Sequence, residues 1–297
     1  MTWFLFAIAG YFSNAVVGVI DKFLLGQRLI TKPPVYTFYI GVLSIFALVL
    51  APFGLAWPGL SQFLIALLAG GLFLLGLLYL FEALDIGSAS RVLPAIGGLT
   101  PILVLTLSFV FLDERLSLLQ LIAFLLLVFG GILILFKKEQ KEKQERRFRF
   151  ITLAILFTAI SLVLIKYVFL HQNFISGFIW TRIGSFLAAL LFLIWPKLRH
   201  SIFETGRRVK GGLNLLLFSN KAVAGGASLL INLAISQTSV ALVNAMQGVQ
   251  YVFLLILTLI LSKKFPKILE EKISGKILFQ KILAILLIGG GLIILTL

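Results

Sequence analysis

The chain carries one plan twice: residues 83–135 read ALDIGSASRVLPAIGGLTPILVLTLSFVFLDERLSLLQLIAFLLLVFGGILIL, and residues 234–295 read AISQTSVALVNAMQGVQYVFLLILTLILSKKFPKILEEKISGKILFQKILAILLIGGGLIIL. Each copy runs from small residues through a long apolar span to two acids, a basic residue, an apolar residue and serine, at 113–117 and 270–274. Each copy then ends in an apolar segment with a glycine cluster. An internal duplication in an almost wholly apolar chain is typical of membrane transporters.

The composition indicates that lipid surrounds the folded chain. Of the 297 residues, 60% are hydrophobic and 12% are charged, and the mean hydropathy is +1.11. No soluble fold of this length needs so much apolar surface. The apolar residues occur in runs and do not alternate with polar ones, which predicts helices and argues against a β-barrel. The chain has no cysteine, and His171 and His200 are isolated, so we expect no disulfide, no metal site and no cofactor.

The apolar runs predict an all-α polytopic membrane protein with ten transmembrane helices, since about 20 apolar residues suffice to cross a bilayer. The hydrophilic stretch 137–149 separates five predicted spans from five and is interpreted as a charged linker. Because five is odd, the second half must enter the membrane in the opposite sense, which predicts inverted repeats at 1–136 and 150–297. The ten spans are predicted near residues 3–20, 35–52, 61–81, 89–112, 117–136, 150–169, 177–195, 212–235, 240–261 and 278–296.

Basic residues are concentrated in the odd-numbered connections between the predicted spans. The net charge of +15 is therefore interpreted as a topology signal and not as a nucleic-acid interface. The positive-inside rule then places the odd connections in the cytoplasm and both termini outside. The first apolar stretch has no charged region before it and no convincing cleavage site, so we interpret it as a retained helix and not as a signal peptide.

The first copy carries ALDIGSAS, two prolines, FLDERLS and GGILIL in that order. This set resembles the EamA family of the drug/metabolite transporter superfamily, and the second copy gives weaker support. The resemblance implies a multi-pass carrier of the inner cell membrane with a central cavity and alternating access. It also implies gating prolines in the helix at 92–112, where Pro94 and Pro101 match; the second copy has Ala245 and Val252 instead. Members of the superfamily often have both termini in the cytoplasm, opposite to the charge pattern here.

The predicted eighth span carries the clearest polar stripe. Lys221, Gly225, Ser228 and Asn232 recur at i, i+4, i+7 and i+11 and so share one helix face. Lys221 lies about 9–10 residues into the span, near mid-membrane, where an ionisable side chain indicates a functional site. We expect its ammonium to bind an anionic group of the substrate. The alternative is a structural lysine that pairs with Glu82 or with helix-end carbonyls.

Other polar residues within predicted spans are further candidates for a substrate site. Asn244, Gln247 and Tyr251 share a stripe on the ninth span, where they form either a hydrogen-bonding wall or amide contacts between helices. Arg182 lies a short way into the seventh span, so it either guards the outer mouth or snorkels to the headgroups. Asn14 on the first span is a candidate cavity residue.

The turn between the third and fourth spans is flanked by Glu82 and Arg91. We expect an ion pair between them. The alternative is that Glu82 acts in coupling, as a relay for protons or cations.

The sequence predicts a secondary transporter, driven by a gradient or by exchange, for a small polar metabolite. An anionic group on this metabolite is favoured over a cationic one. It has no nucleotide-binding motif, and no nucleophile, base or metal constellation that would make it an enzyme. A flippase for a lipid-linked headgroup and a multidrug or cation exporter remain open, and a lateral opening between helices would favour the flippase. The expected partners are the small-molecule substrate and the lipid bilayer, with no nucleic acid. The protein is expected to be a monomer or a homodimer.

Overall fold

The structure is a computed structural model that describes residues 2–25, 32–87, 89–135, 145–208, 213–262 and 275–296. Throughout these ranges the regular structure is helical and contains no strand. Within the same ranges, nine helices are long and apolar enough to cross a membrane. The chain is therefore an all-α, multi-pass membrane protein, as the sequence predicts at this level.

The helices are joined mostly by short connections, and we number them in chain order. The first half contains α1 (Thr2–Leu25), α2 (Pro33–Leu43), α3 (Leu60–Ile86), α4 (Ala89–Leu112) and α5 (Leu118–Leu135), with a 3-10 helix (Ser44–Phe53) that extends α2. The second half contains α6 (Glu145–His171), α7 (Phe174–Leu191), α8 (Pro196–Arg208), α9 (Leu213–Gln237), α10 (Val240–Ala245), α11 (Gln247–Ser262) and α12 (Gly275–Thr296).

Nine of the ten predicted spans coincide with helices that meet the membrane criterion. The remaining predicted span, the eighth in chain order, near 212–235, coincides with α9. This helix is 25 residues long but carries polar residues such as Asn220, Lys221 and Asn232. Helix α6 begins at Glu145, inside the predicted linker, and residues 136–144 lie outside the described part of the chain. The amphipathic, basic helix α8 was not predicted, because a search for apolar runs does not detect it.

The two halves interlock through close helix pairs. Helix α1 packs along α9 and α11, and α6 packs along α3 and α4. Glycines allow the closest approaches: a Cβ at Gly10 of α1 would overlap Ile231 of α9, and one at Gly76 of α3 would overlap Thr158 of α6. A large apolar cluster fills the space between the halves, with contributions from α1, α4, α5, α6, α7, α9, α10, α11 and α12.

The ninth span is interrupted although it contains no proline. Helix α10 ends at Ala245 and α11 begins at Gln247, and across the break the N–H of Val249 donates to the carbonyl oxygen of Met246 at 2.9 Å. By contrast, α4 is continuous although it contains Pro94 and Pro101. The gating role of these two prolines stays a prediction, and the visible interruption lies in the other half.

Large apolar side chains are exposed on the outer faces of the helices. Phe46, Phe111, Leu118, Phe279 and Leu286 are each at least 65% exposed. Such a surface is incompatible with water but matches the hydrocarbon of a bilayer. The polar residues described next lie on the inner side of this apolar coat.

Candidate functional site

Lys221 of α9 is paired with Asp21, a carboxylate near the end of α1. Its Nζ lies 3.1 Å from Oδ1 and 3.3 Å from Oδ2 of Asp21, and it also donates to the hydroxyl oxygen of Tyr36 on α2. The Tyr36 hydroxyl donates to Asp21 Oδ2 at 3.3 Å, and Asn220 Nδ2 donates to Oδ1 at 2.7 Å. This cluster, which we call the Asp21 cluster, joins α1, α2 and α9 and neutralises the lysine.

The partner of Lys221 is therefore Asp21 and not Glu82, which the sequence interpretation proposed. The side chains of Lys221 and Asp21 remain 16% and 26% exposed, so the pair is not sealed. The arrangement corresponds to the structural alternative for Lys221. Its predicted contact with an anionic substrate would require the substrate to replace Asp21.

A second lysine is buried near the opposite end of α9. Lys166 of α6 is 6% exposed, and its Nζ donates to the carbonyl oxygens of Ile235 at 3.0 Å and Thr238 at 2.8 Å. Glu114 Oε1 lies 3.9 Å from the same ammonium, and Glu114 Oε2 accepts a hydrogen bond from Ser239 at 2.8 Å. The cation thus lies where the last carbonyls of a helix carry partial negative charge. We call this group the Lys166 cluster.

Arg182 of α7 is buried without a carboxylate partner among the described residues. Its side chain is 8% exposed, and its guanidinium carbon lies 5.0 Å from the ring centroid of Phe73 and 5.1 Å from that of Phe178. Its Nε has no hydrogen-bond partner in the part of the chain that the structure describes. The enclosure of this side chain between α3 and α7 argues against snorkelling, and its role at an outer mouth stays a prediction.

The position of Phe178 shows which face of α7 carries Arg182. Phe178 belongs to the central apolar cluster, together with Ala234 and Ile235 of α9. Arg182 follows Phe178 by four residues, so the two side chains share a face of the helix. The guanidinium therefore lies on the side of α7 that faces the interior of the bundle.

Four interior oxygens without a hydrogen-bond partner among the described residues lie on α4, α9 and α10; they belong to Thr100, Asn220, Asn232 and Asn244. Asn232 is buried, and its Nδ2 donates to the carbonyl oxygen of Ser228 at 2.8 Å while its Oδ1 has no partner among the described residues. The Oδ1 of Asn244 and the hydroxyl of Thr100 are in the same situation. A buried polar atom without a partner costs about 1–3 kcal/mol. Each of these atoms is therefore a candidate contact for a polar ligand, and their convergence on one site stays a prediction.

The remaining candidates lie around the interrupted ninth span. Gln247 is half-buried at the start of α11, and Tyr251 is buried with its hydroxyl beside Gly97 of α4. Asn14 is half-buried on α1, one turn after Tyr11, whose hydroxyl donates to the carbonyl oxygen of Val243 at 2.6 Å. The structure thus places these three residues on helices that contact one another, and their role in binding stays a prediction.

The predicted pair of Glu82 and Arg91 is described only in part. The side chain of Arg91 lies outside the described residues, so this ion pair stays a prediction. Glu82 is half-buried on α3, and Arg146 at the start of α6 attracts it electrostatically, whereas Asp85 repels it.

Sequence reasoning missed Asp21, Tyr36 and Thr100 as members of these groups. A sequence feature could have identified Glu114, because it lies in the acidic motif that both copies share. Asp21 had none, since its partner Lys221 is 200 residues away in the chain.

Comparison with known proteins identifies the fold only. No protein-family model and no curated protein matches the chain. Among solved structures 28 chains match. One of them, described only as "Crystal structure of protein", has a TM-score of 0.67 and 17% sequence identity, and the match covers 100% of this chain and 96% of that one. An experimentally known structure therefore has the same fold over essentially its whole length.

Proposed function

We propose that this protein is a secondary transporter with ten spanning helices, in which two inverted repeats, 1–136 and 150–297, flank a linker at 137–149. The interlocking of the halves supports the proposal. The first spanning helix of one half, α1, packs against the third proposed spanning helix of the other, α9, and α6 packs against α3 in the same way. Likewise, α1 packs against α11, the helix after α9 and α10, and α6 packs against α4, the helix after α3. Exchange of the two halves leaves these pairings unchanged, as expected for a repeat, and the odd number of spans in each half supports inversion.

The choice of substrate rests on buried Arg182. The two interior lysines already have carboxylate partners, Lys221 with Asp21 and Lys166 with Glu114. Arg182 has no such partner among the described side chains. An uncompensated cation inside a bundle attracts anions and repels organic cations. The transported metabolite is therefore small, polar and anionic, with its charge near Arg182.

Alternating access fits the positions of the Asp21 cluster and the Lys166 cluster. Lys221 and Ile235 are 14 residues apart on α9, which corresponds to about 21 Å along a helix. One cluster thus ties α9 to α1 and α2 near one face of the bundle, and the other ties it to α6 near the opposite face. A carrier that exposes its site to each side in turn would open these contacts in turn.

Transport by the purified full chain in proteoliposomes tests this function. A panel of small organic anions is compared with amines of matched size, with wild type, Arg182→Gln, Arg182→Lys and the exposed control Arg199→Gln. Loss of a charged hydrogen bond of about 1.5–3 kcal/mol predicts a reduction in anion uptake of about ten- to a hundredfold for Arg182→Gln. Arg182→Lys retains part of the uptake, and Arg199→Gln retains all of it.

Three results would contradict the proposal. Folded Arg182→Gln protein with unchanged anion uptake removes Arg182 from the site. Uptake of amines alone identifies the cation exporter instead. Movement of a lipid-linked headgroup between leaflets, without uptake of soluble anions, identifies the flippase.

A further inference from the structure

Lys32, the residue before α2, contacts α8 on the face that carries Lys197. The Nζ of Lys32 donates to Ser201 Oγ at 3.1 Å, and Ser201 Oγ donates to the backbone carbonyl oxygen of Lys197 at 3.2 Å. Because Lys197 and Ser201 are four residues apart on α8, their side chains share one face of this helix. The two lysines are therefore neighbours, and we call Lys32, Lys197 and Ser201 the α2–α8 site.

Packing between α2 and α8 holds this site together. Ile202 of α8 is buried in one apolar cluster with Val35 and Phe38 of α2. The hydroxyl of Tyr39, also on α2, donates to the carbonyl oxygen of Ile202 at 3.0 Å. Since Lys32 immediately precedes α2, the same contacts keep its backbone close to α8.

The two lysines carry positive charge that no acid neutralises within the described part of the chain. Both side chains are exposed, and neither forms an ion pair with a described residue. Glu204, the one acid in the sequence of α8, follows Lys197 by seven residues and interacts with another group. Two neighbouring cations repel each other, and an anion between them relieves that repulsion.

The ends of two spans place these lysines at the level of the lipid headgroups. Lys32 comes one residue before the span Pro33–Phe53, and Lys197 comes three residues after the span Phe174–Ile194. Trp195 follows the second span directly and is 59% exposed, as is typical of aromatic side chains at the membrane interface. An anion that reaches both lysines from the bilayer therefore needs an apolar part as well.

We propose that the α2–α8 site binds the headgroup of an anionic phospholipid. The phosphate contacts the ammonium groups of Lys32 and Lys197, and the acyl chains extend along exposed Leu191 and Ile194. Basic residues next to a span attract anionic headgroups. A zwitterionic headgroup is disfavoured, because its own cation would add to the positive charge already present.

Lipid binding is measured by native mass spectrometry on the delipidated full chain, titrated with phosphatidylglycerol or phosphatidylcholine. We expect wild type to bind phosphatidylglycerol more tightly. Lys32→Gln and Lys197→Gln each lower that affinity about fivefold, the equivalent of about 1 kcal/mol, and the double variant lowers it about twenty-five-fold. Lys32→Arg retains the affinity because it retains the charge. Ser201→Ala causes a smaller loss, since it removes the group that positions Lys32 without changing the charge.

The matched control is Arg199→Gln. Residues two apart in a helix point about 200° apart, so this variant removes one exposed positive charge from the other side of α8. Equal losses in Lys197→Gln and Arg199→Gln would reduce the effect to general surface charge and overturn the proposal.

Two further results would overturn it. Wild type that binds both lipids equally has no preference for an anionic headgroup. Displacement of the lipid by millimolar inorganic phosphate would identify a site for free phosphate instead. None of the substituted side chains is buried, and thermal unfolding in detergent verifies that each variant is folded. The assay involves no transport, so its outcome is independent of the proposed function.

Discussion

Lys221 on α9 and Asp21 on α1 form an ion pair, with Nζ 3.1 Å from Oδ1, across 200 residues of chain. The pair joins the first helix of one half to the third helix of the other. Because Tyr36 and Asn220 also bind the carboxylate, Asp21 accepts hydrogen bonds from three side chains. Asp21 is therefore the centre of this polar contact between the halves, which adds to their apolar packing and to the Lys166 cluster.

We expect Asp21→Asn and Lys221→Met each to lower the free energy of unfolding, because each leaves its partner without a countercharge inside the bundle. The double variant should lose less than the sum of the two, with a coupling energy of about 1–3 kcal/mol. Thermal unfolding in detergent measures all three variants against wild type. Strictly additive losses would show that the contact contributes no energy of its own.

Lys166→Met should destabilise the protein by about 3–5 kcal/mol, because it leaves Glu114 and two helix-end carbonyls without a buried cation. Glu114→Gln should cost less, since the amide oxygen still accepts from Ser239. Lys197→Met on exposed α8 is the control and should change stability by no more than about 0.5 kcal/mol. Unfolding in denaturant gives the comparison; similar losses for Lys166→Met and Lys197→Met would contradict it.

Gly70→Ala and Gly71→Ala form a matched pair on α3. A Cβ at Gly70 would overlap the carbonyl group of Thr181 on α7, so we expect a loss of about 1–3 kcal/mol from overpacking. A Cβ at Gly71 lies 3.7 Å from Ala188, an ordinary contact, and should be tolerated. The midpoint of thermal unfolding distinguishes the two. Equal stability of both variants would show that α3 and α7 do not approach as closely as described.

Reporter fusions at Leu297 test the orientation that the charge distribution predicts. If the positive-inside rule holds, a periplasmic phosphatase fused there is active and a cytoplasmic fluorescent protein is dark. The reverse pattern would place the termini in the cytoplasm, as the resemblance to the EamA family implies.

The helical fold was predictable from sequence because hydrophobic runs of this length have no other stable form in a bilayer. Helix α8 was not predictable, since it has too few apolar residues to span a bilayer. Its apolar face is recognisable only in the structure, where Ile202 packs in one cluster with Phe38 of α2. The interruption at Met246 also escaped prediction. Sequence reasoning looks for prolines, and no proline lies at this break.

The sequence identified single polar residues within the spans but not the pairs that they form, and their role in a site stays a prediction. The position of Lys221 far inside a predicted span made it a candidate site residue, because a charge inside a membrane is costly. It did not identify Asp21 as the partner, since nothing in the local pattern relates α1 to α9. The sequence left two alternatives for Arg182, at an outer mouth or at the headgroups, and could not show that its guanidinium lies against the rings of Phe73 and Phe178.

Helix α9 is bound to Asp21 through Lys221, eight residues after its start at Leu213, and to Lys166 through the carbonyl oxygen of Ile235 near its C-terminal end. A helix bound at two points along its length cannot tilt without lengthening the hydrogen bonds at one of them. The two fastenings are therefore thermodynamically linked through the rigidity of the helix between them. We expect a substitution that weakens one contact to affect the other, and the coupling free energy is then the same whichever contact is changed first. A perturbation on one face of the membrane is consequently measurable as a shift in stability on the opposite face.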